Sequence, residues 1–232
     1  MGTGVKVNDF VIRFANVNGT GSASANSMFA KAIFRMGIPI SPKNIFPSNI
    51  QGLPTWYEVR VSENGYLGRR EGIDIMVGIN PQSLKKDIDN VSVGGYFLYD
   101  SSKLLHEEFL RHDINYLGVP MMKMCMENYS NPRQQQLFKN VVYVGALAAL
   151  LDIEMEVLKG IIEGQFEKKP KLIPSNFQAL ELGYDYTKAN FECPLEFRVK
   201  RRDLIGDQII VDGNKAIVFP ETGESTLPIW VW

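Results

Sequence analysis

Apolar and polar positions alternate from Asp9 to Phe14, the pattern of a buried strand. A short polar, glycine-bearing stretch follows, Ala15-Asn16-Val17-Asn18-Gly19-Thr20-Gly21-Ser22-Ala23-Ser24. From Ala25 to Met36 the spacing becomes helical. Met28, Ala32 and Met36 form one stripe with Phe29 and Ile33 beside it, and Gly37 stands at the stop position. A second strand is predicted at Ile38–Ile40, running into Ser41-Pro42-Lys43-Asn44. Trp56–Ser62 alternates Tyr57, Val59 and Val61 with Trp56, Glu58 and Arg60, which predicts a half-buried strand. Asn64-Gly65 is a two-residue hairpin signal, with Tyr66-Leu67 starting the return. Gly72–Ile79 is nearly continuous apolar sequence, as in a central parallel strand, and Asn80-Pro81 opens a helix. Further strands are predicted at Gly94–Asp100 and Asn115–Val119.

The last third reads as helical. Leu137–Leu151 is apolar nearly all round, and Val141, Gly145 and Ala148-Ala149 offer a small-residue surface for close packing. Asp152 is placed to cap a next helix striped by Ile153, Val157, Ile161 and Phe166, and Ser175–Gln178 fits a capping box for another. Together these elements predict a three-layer α/β/α fold with a mostly parallel sheet, an antiparallel hairpin and a helical carboxyl-terminal third. Residues 1–190 are assigned to this domain. Residues 191–232, where periodicity fades, are read as a carboxyl-terminal extension or linker, its apolar side chains too irregular to face one core.

Strand, glycine turn and helix in that order place unpaired backbone N–H groups at a helix start, where the helix dipole favours an anion. Gly19 and Gly21, lacking Cβ, permit a tight turn and close approach. The stretch departs from the dinucleotide fingerprint. Ser24 replaces the third glycine, and no acidic residue follows until Glu58. Three readings stay open on these residues: a ligand-free turn, a nicotinamide site, and a contact to an anionic group held from outside. The segment Phe46–Pro54 is long, polar at its centre and pinned by prolines, which marks a functional loop.

Composition narrows the chemistry. The 232 residues carry a net charge of −1, and basic runs such as Lys168-Lys169 and Lys200-Arg201-Arg202 are short, so a nucleic-acid surface is not expected. No apolar run reaches bilayer length, and no secretory leader pattern opens the chain, so a cytoplasmic location is expected. Cys125 and Cys193 are the only cysteines, and His106 and His112 the only histidines. No metal site is predicted, and Cys125, set among Met121, Met122, Met124 and Met126, reads as core filling. No catalytic triad, nucleophile elbow or phosphate-loop lysine can be placed. Asp74, inside an apolar strand, and Asp100, at a strand end, are the carboxylates of interest. An Asp at a strand end, as Asp100 is, is more commonly a turn or cap residue than a catalytic one.

Several segments in order resemble the 2-oxoacid:ferredoxin oxidoreductases, specifically their gamma-type domain, in many members the amino-terminal part of the alpha subunit. They are Ile12-Arg13-Phe14-Ala15 with Gly19-Thr20-Gly21, Phe46–Gly52 with Val59-Arg60-Val61-Ser62, Asp74–Val77 with Asn80, Gly94-Gly95-Tyr96 with Tyr99-Asp100, Leu117–Pro120, and Lys139–Ala148. Asn49–Tyr57 looks most like the 2-oxoglutarate type. The resemblance implies a part in CoA-dependent oxidative decarboxylation of a 2-oxoacid, with thiamine diphosphate and iron–sulfur clusters carried by partner subunits or domains and electrons passed to ferredoxin. It implies no catalytic residue on this chain. Gly19, Thr20, Gly21 and Ser22 of the turn, with Ser48, Asn49 and Gln51 of the loop, are the positions it implies for the coenzyme A side of the cleft. Family alpha subunits continue beyond the region of Ile210–Asn214, so a short subunit, a fragment or a frame-changed product is expected here. The rival readings are a stand-alone Rossmann-like nucleotide-binding oxidoreductase and a non-catalytic binding module.

Overall fold

The computed structural model describes residues 4–17, 19–47, 54–192, 195–211 and 229–231. After a two-residue strand β1 (Lys6–Val7), the chain forms β2 (Asp9–Asn16), α1 (Ser22–Arg35), β3 (Ile40–Ile45), β4 (Thr55–Ser62), β5 (Ile73–Gly78), α2 (Leu84–Asp89), β6 (Val91–Asp100) and β7 (Asn115–Val119). Four helices follow: α3 (Met121–Asn128), α4 (Pro132–Leu151), α5 (Met155–Gln165) and α6 (Ile173–Asn190). Short strands β8 (Phe197–Arg198), β9 (Ile209–Val211) and β10 (Ile229–Val231) end the chain.

The main sheet has six strands in the order β3-β4-β2-β5-β6-β7. β2, β5, β6 and β7 are mutually parallel, and β4 runs against both of its neighbours. The architecture is therefore the expected three-layer α/β/α fold, and its antiparallel hairpin is β3–β4. This corrects one detail. Gly65 turns the chain with φ +72°, but Tyr66 and Leu67 do not return as a strand and are exposed. β4 already has β3 on one side and β2 on the other, so no edge remains for a third partner. Pro42, which lacks an N–H, is tolerated because β3 is an edge strand.

One face of the sheet carries the large core. Phe10, Ile12, Phe14, Tyr57, Val59, Ile75, Val77, Leu98 and Leu117 pack there with residues of α1 and α3–α6. The opposite face is covered by α2 and the segment after β6, which pack Ile73, Met76, Ile88, Phe97 and Ile114 into a second cluster. Towards β4 this face carries charge instead. Arg13 pairs with Glu58, which also receives Arg69, Arg60 pairs with Asp9, and Arg70 with Asp74. β4 is consequently buried on both faces, not half-buried as its alternation predicts.

Within the helical layer, Gly145 of α4 lies against the Leu180 carbonyl, and Gly183 of α6 against the Val142 carbonyl. A side chain on either would collide, so the predicted small-residue surface is where the two helices approach. Two predicted caps differ. Asp152 closes α4 in the left-handed region (φ +59°) and pairs with Arg198 at 3.0 Å instead of capping α5. The last long helix begins at Ile173, ahead of Ser175, because Pro174 suits a first turn.

Residues 195–205 form a strap across the amino-terminal edge of the sheet. β8 pairs with β1, and Leu195, Phe197, Val199 and Ile205 are buried in the main core. Asn8, at φ +53° and fully buried, clamps the strap with both ends of its amide. Its Nδ2 donates to the Lys200 carbonyl, and its Oδ1 accepts the Lys200 N–H, each at 2.9 Å.

Candidate functional site

β2 is the point where the sheet's connections diverge. The helix that follows β2 packs on one face and the helix that follows β5 on the other, which opens a crevice at the carboxyl ends of these two strands, where α/β sheets place ligands. The glycine turn lies at this crevice. Gly19 (φ +77°) and Gly21 (φ +83°) both occupy the left-handed region. Gly21 is the N-cap of α1, with no side-chain cap and no acidic residue in the first turn, so the first N–H groups are not neutralised from within. Thr20 Oγ1 and Ser22 Oγ donate to the Val17 carbonyl at 2.7 and 3.2 Å, which folds the turn back on β2. The donors left for a ligand are thus backbone N–H groups, with the two hydroxyl oxygens as acceptors.

Buried amides fix the turn from below. Asn26 Nδ2 donates to Asn16 Oδ1 at 2.7 Å, and the Tyr143 hydroxyl donates to Asn26 Oδ1 at 2.6 Å. Burial pushes the Tyr143 phenol far above its ordinary range, so it remains a neutral donor. Asn140 Nδ2 donates to the Thr20 carbonyl at 2.7 Å, while its buried Oδ1 has no hydrogen-bond partner among the described residues. From the β5 side, Asn80 Nδ2 donates to the Asn16 carbonyl at 2.7 Å. Of the residues that fix the turn, Asn26 was not singled out in the sequence; Asn16 appeared only within the glycine-bearing stretch, Asn80 as a helix opener and segment member, and Asn140 and Tyr143 only as members of a resembling segment. Asn26, Asn140 and Tyr143 interrupt otherwise apolar helix faces, and that interruption is the signal that marks them.

Ser48, Asn49 and Gln51 lie outside the described residues. Their flanks do not: the ladder pairs Thr55, at the start of β4, with Asn16, and Ile45, at the end of β3, with Trp56. The chain on either side of the loop thus stands at the same edge as the glycine turn. Trp56 is anchored there by its Nε1, which donates to Asp87 Oδ1 of α2 at 2.6 Å. Asp87 Oδ2 accepts from Ser83 Oγ at 2.7 Å, and the Lys86 ammonium lies 4.5 Å from the Trp56 ring centroid. Asp87 is fully buried, and desolvation pushes its carboxyl up to about 6.

The two carboxylates of interest separate. Asp100 lies at the carboxyl edge, but it accepts the N–H of Ser102 at 3.1 Å and of Met122 at 3.3 Å, the bonds of a turn and cap residue. Asp74 is near the opposite edge, accepting the Val11 N–H at 2.7 Å beside Arg70, and burial raises its pKa. Cys125 is fully buried and its thiol is pushed up to about 12, as a packing residue would be. The strand after α1 ends in Lys43-Asn44-Ile45, with no acid to hold a ribose.

A strand, a capless glycine turn and a helix at the switch point of a mostly parallel sheet define an anion-competent α/β domain. Comparison with known proteins narrows the class: the chain belongs to the pyruvate ferredoxin/flavodoxin oxidoreductase family, which matches residues 11–186. Within it, the chain is a gamma-type or alpha-subunit domain of the 2-oxoacid:ferredoxin oxidoreductases. It is 20% identical over 240 residues to the 2-oxoglutarate oxidoreductase subunit KorA of Mycobacterium tuberculosis, covering 92% of this chain and 36% of that protein. It is 29% identical to the ketoisovalerate oxidoreductase subunit VorA of Methanothermobacter thermautotrophicus over 53% of this chain and 24% of that one. The chain thus spans about a third or less of these relatives, whose names also divide between two substrates. Among solved structures, the 2-oxoglutarate:ferredoxin oxidoreductase of Magnetococcus marinus superposes with a TM-score of 0.76 at 21% identity, over 97% of this chain and 43% of that one. The gamma subunit of the keto/oxoacid ferredoxin oxidoreductase of Geobacter sulfurreducens gives 0.63 at 18% identity, over 78% of this chain and 99% of that one. Among the described residues no helix is long and apolar enough to cross a membrane.

Proposed function

We propose that this chain is the gamma-type component of a 2-oxoacid:ferredoxin oxidoreductase of the 2-oxoglutarate type, and that it contributes the coenzyme A side of the cleft. The observation that carries the reading is the capless N-terminus of α1 at the switch crevice, held by Asn26, Asn140 and Tyr143. Coenzyme A is anionic, and the residues present suit it. Gly19, Gly21 and Ser22 offer backbone N–H groups, and Thr20 and Ser22 two hydroxyl oxygens, the Thr20 N–H being held by the Val17 carbonyl at 3.3 Å. Ser48, Asn49 and Gln51, outside the described residues, are proposed to add polar side chains to the same ligand. The buried acceptor Asn140 Oδ1 offers a further polar partner beside the turn. The Magnetococcus marinus enzyme was solved with 2-oxoglutarate, coenzyme A and succinyl-CoA bound, which supports both the ligand and the substrate class.

Thiamine diphosphate and the iron–sulfur centres belong to partner subunits or domains in this reading, and the isolated chain turns over no 2-oxoacid. The role of this chain is to bind and orient the acyl acceptor and to complete the cleft. Native co-purification with mass identification tests the assembly: a thiamine-binding, cysteine-rich partner is expected, and a stable, partner-free chain that reduces nicotinamide overturns it. In the assembled enzyme, Gly21→Val and Gln51→Ala each raise the KM for coenzyme A and leave that for the oxoacid nearly unchanged. Gly21→Val acts through two routes, since a Cβ at φ +83° is strained and meets Leu137 Cδ2 at 2.9 Å. Equal effects of both variants on the oxoacid KM would assign the crevice to the oxoacid.

A further inference from the structure

Trp56, Asp87, Ser83, Asn80, Asn16, Asn26 and Tyr143 form a continuous buried path from one face of the sheet, over its carboxyl edge, to the other. Trp56 Nε1 and Ser83 Oγ both donate to Asp87, and the Ser83 N–H closes a turn on the Asn80 carbonyl at 3.2 Å. Asn80 then holds the Asn16 carbonyl, and Asn16 passes to Asn26 and Tyr143. Trp56 is the second residue of β4, and Asn16 is the last residue of β2, just before the glycine turn. Both ends of the candidate site are therefore referred to one buried carboxylate on α2.

We propose that Asp87 is a positioning residue: its carboxylate sets Trp56 and, through Ser83 and Asn80, the end of β2, so that the start of β4 and the glycine turn are held in one arrangement. The ligand served rests on the coenzyme A reading above; the coupling itself does not. Charge-assisted bonds are about twice as strong as neutral ones, so the ionised carboxylate holds both donors more firmly than the acid does. The charged groups around it are Arg13 of β2 with its partner Glu58 of β4, Lys86 on its own helix, the exposed Lys85–Asp89 pair, and Arg111 with Asp113. Arg111 donates to the Ile88 carbonyl at 2.8 Å, at the end of α2. Burial opposes the charged form and raises the carboxyl to about 6, whereas the bonds from Ser83 and Trp56, then Arg13 and Lys86, favour it, so protonating the still-buried carboxyl just below neutrality weakens those two bonds.

Asp87→Asn mimics the protonated state. Its amide still accepts from Trp56 and donates to Ser83, so the variant is expected to fold. In the full chain, the Trp56 indole N–H resonance, assigned with Trp56→Phe, is followed from pH 5 to 8. It is expected to titrate near pH 6 in the parent and to be flat in Asp87→Asn. Amide hydrogen exchange, corrected for its intrinsic pH dependence, is expected to rise roughly fivefold or more in residues 17–25 and 54–57 together. This rise is seen at pH 5 in the parent and at pH 7.5 in Asp87→Asn. A Trp56 signal that titrates alike in both proteins, or exchange that rises in 54–57 while 17–25 stays fixed, overturns the proposal. The assembled enzyme separates the ligand from the coupling. A raised KM for coenzyme A in Asp87→Asn supports both, whereas coupled exchange with an unchanged KM supports the positioning role and overturns the coenzyme A reading.

Discussion

Asp87 is the residue at which stability and arrangement pull apart. Its carboxyl ordinarily titrates at 3.8 and is raised to about 6 in the fold, chiefly by burial. A folded pKa above the unfolded one means that the folded state binds more protons between these two values. Stability therefore falls as pH climbs from about 4 to about 6, by about 3 kcal/mol over the window. Asp87→Asn removes that cost. It is expected to stabilise the chain by an amount of this order at pH 7.5 and to leave it nearly unchanged at pH 4. Urea unfolding at the two pH values checks this, and a variant less stable than the parent at pH 7.5 contradicts it. The half-buried Glu63 works in the opposite sense. Arg202 lowers its pKa, so its contribution fades as the solution is acidified. None of this was legible in the sequence, where Asp87 is one acid among the lysines of a short polar run. Its importance comes from a tryptophan 31 positions away in the chain. The glycine turn was legible because left-handed backbone has a residue signature. The amides beneath it were not, because a polar residue that interrupts an apolar helix face marks a buried position without naming its partner.

At the scale of elements, periodicity located most strands and helices, since alternation and helical spacing are direct consequences of facing a core. It failed where a second neighbour decided the outcome. β4 is buried on its charged face because Arg13 and Asp9 of β2 supply opposite charges to Glu58 and Arg60, and one strand's pattern does not reveal its partner's. Asn64-Gly65 signals a hairpin correctly as a turn, but β3 and β2 already occupy both edges of β4. Asp152 fits a cap by its type, yet Arg198 and Lys188 draw it to the end of α4 instead. Helix approach was better legible: Gly145 within an apolar run announced a close contact, and the contact is with the backbone of α6. Gly183 is its counterpart there. Gly183→Ala places a methyl group into the Val142 carbonyl, where neither backbone yields easily, and should lower stability by about 1–3 kcal/mol or more. Gly160→Ala, on the neighbouring helix α5, meets nothing and serves as the control, with stability unchanged or raised. Equal melting temperatures for the two variants would contradict this packing.

At the scale of the whole molecule, the segment following α6 decides where the folded unit ends. The sequence places a division at residue 190 between the gamma-type domain and an extension, and the strap is the test of that expectation. Leu195, Phe197, Val199 and Ile205 enter the main core, Arg201 pairs with Glu154 at 2.6 Å, and Arg202 with Glu63 at 2.7 Å. The Arg202 N–H donates to the Met36 carbonyl at 2.9 Å, and the Leu204 N–H to that of Gly37 at 3.1 Å, closing the end of α1. Gly37 is required there, because a Cβ would strike the Arg202 carbonyl. Each large apolar side chain returned to water costs about 1.5–3 kcal/mol as an upper estimate. Four of them approach the whole stability of an ordinary domain, about 5–15 kcal/mol. The surface ion pairs add little to this, since exposed pairs contribute about 0–1 kcal/mol each. A chain ended after Asn190 should therefore lose cooperative unfolding or melt far below the parent. One ended after Gly206 keeps every strap contact named here and should melt within a few degrees of it. Thermal unfolding followed by circular dichroism distinguishes them. If the chain ended after Asn190 unfolds as sharply and as late as the longer one, the division at 190 is a true domain boundary and the strap is an accessory. If only the longer chain folds cooperatively, the unit extends through Ile205, and Asn8, buried at the amino-terminal edge with its amide on Lys200, is the residue that joins the two ends of the chain.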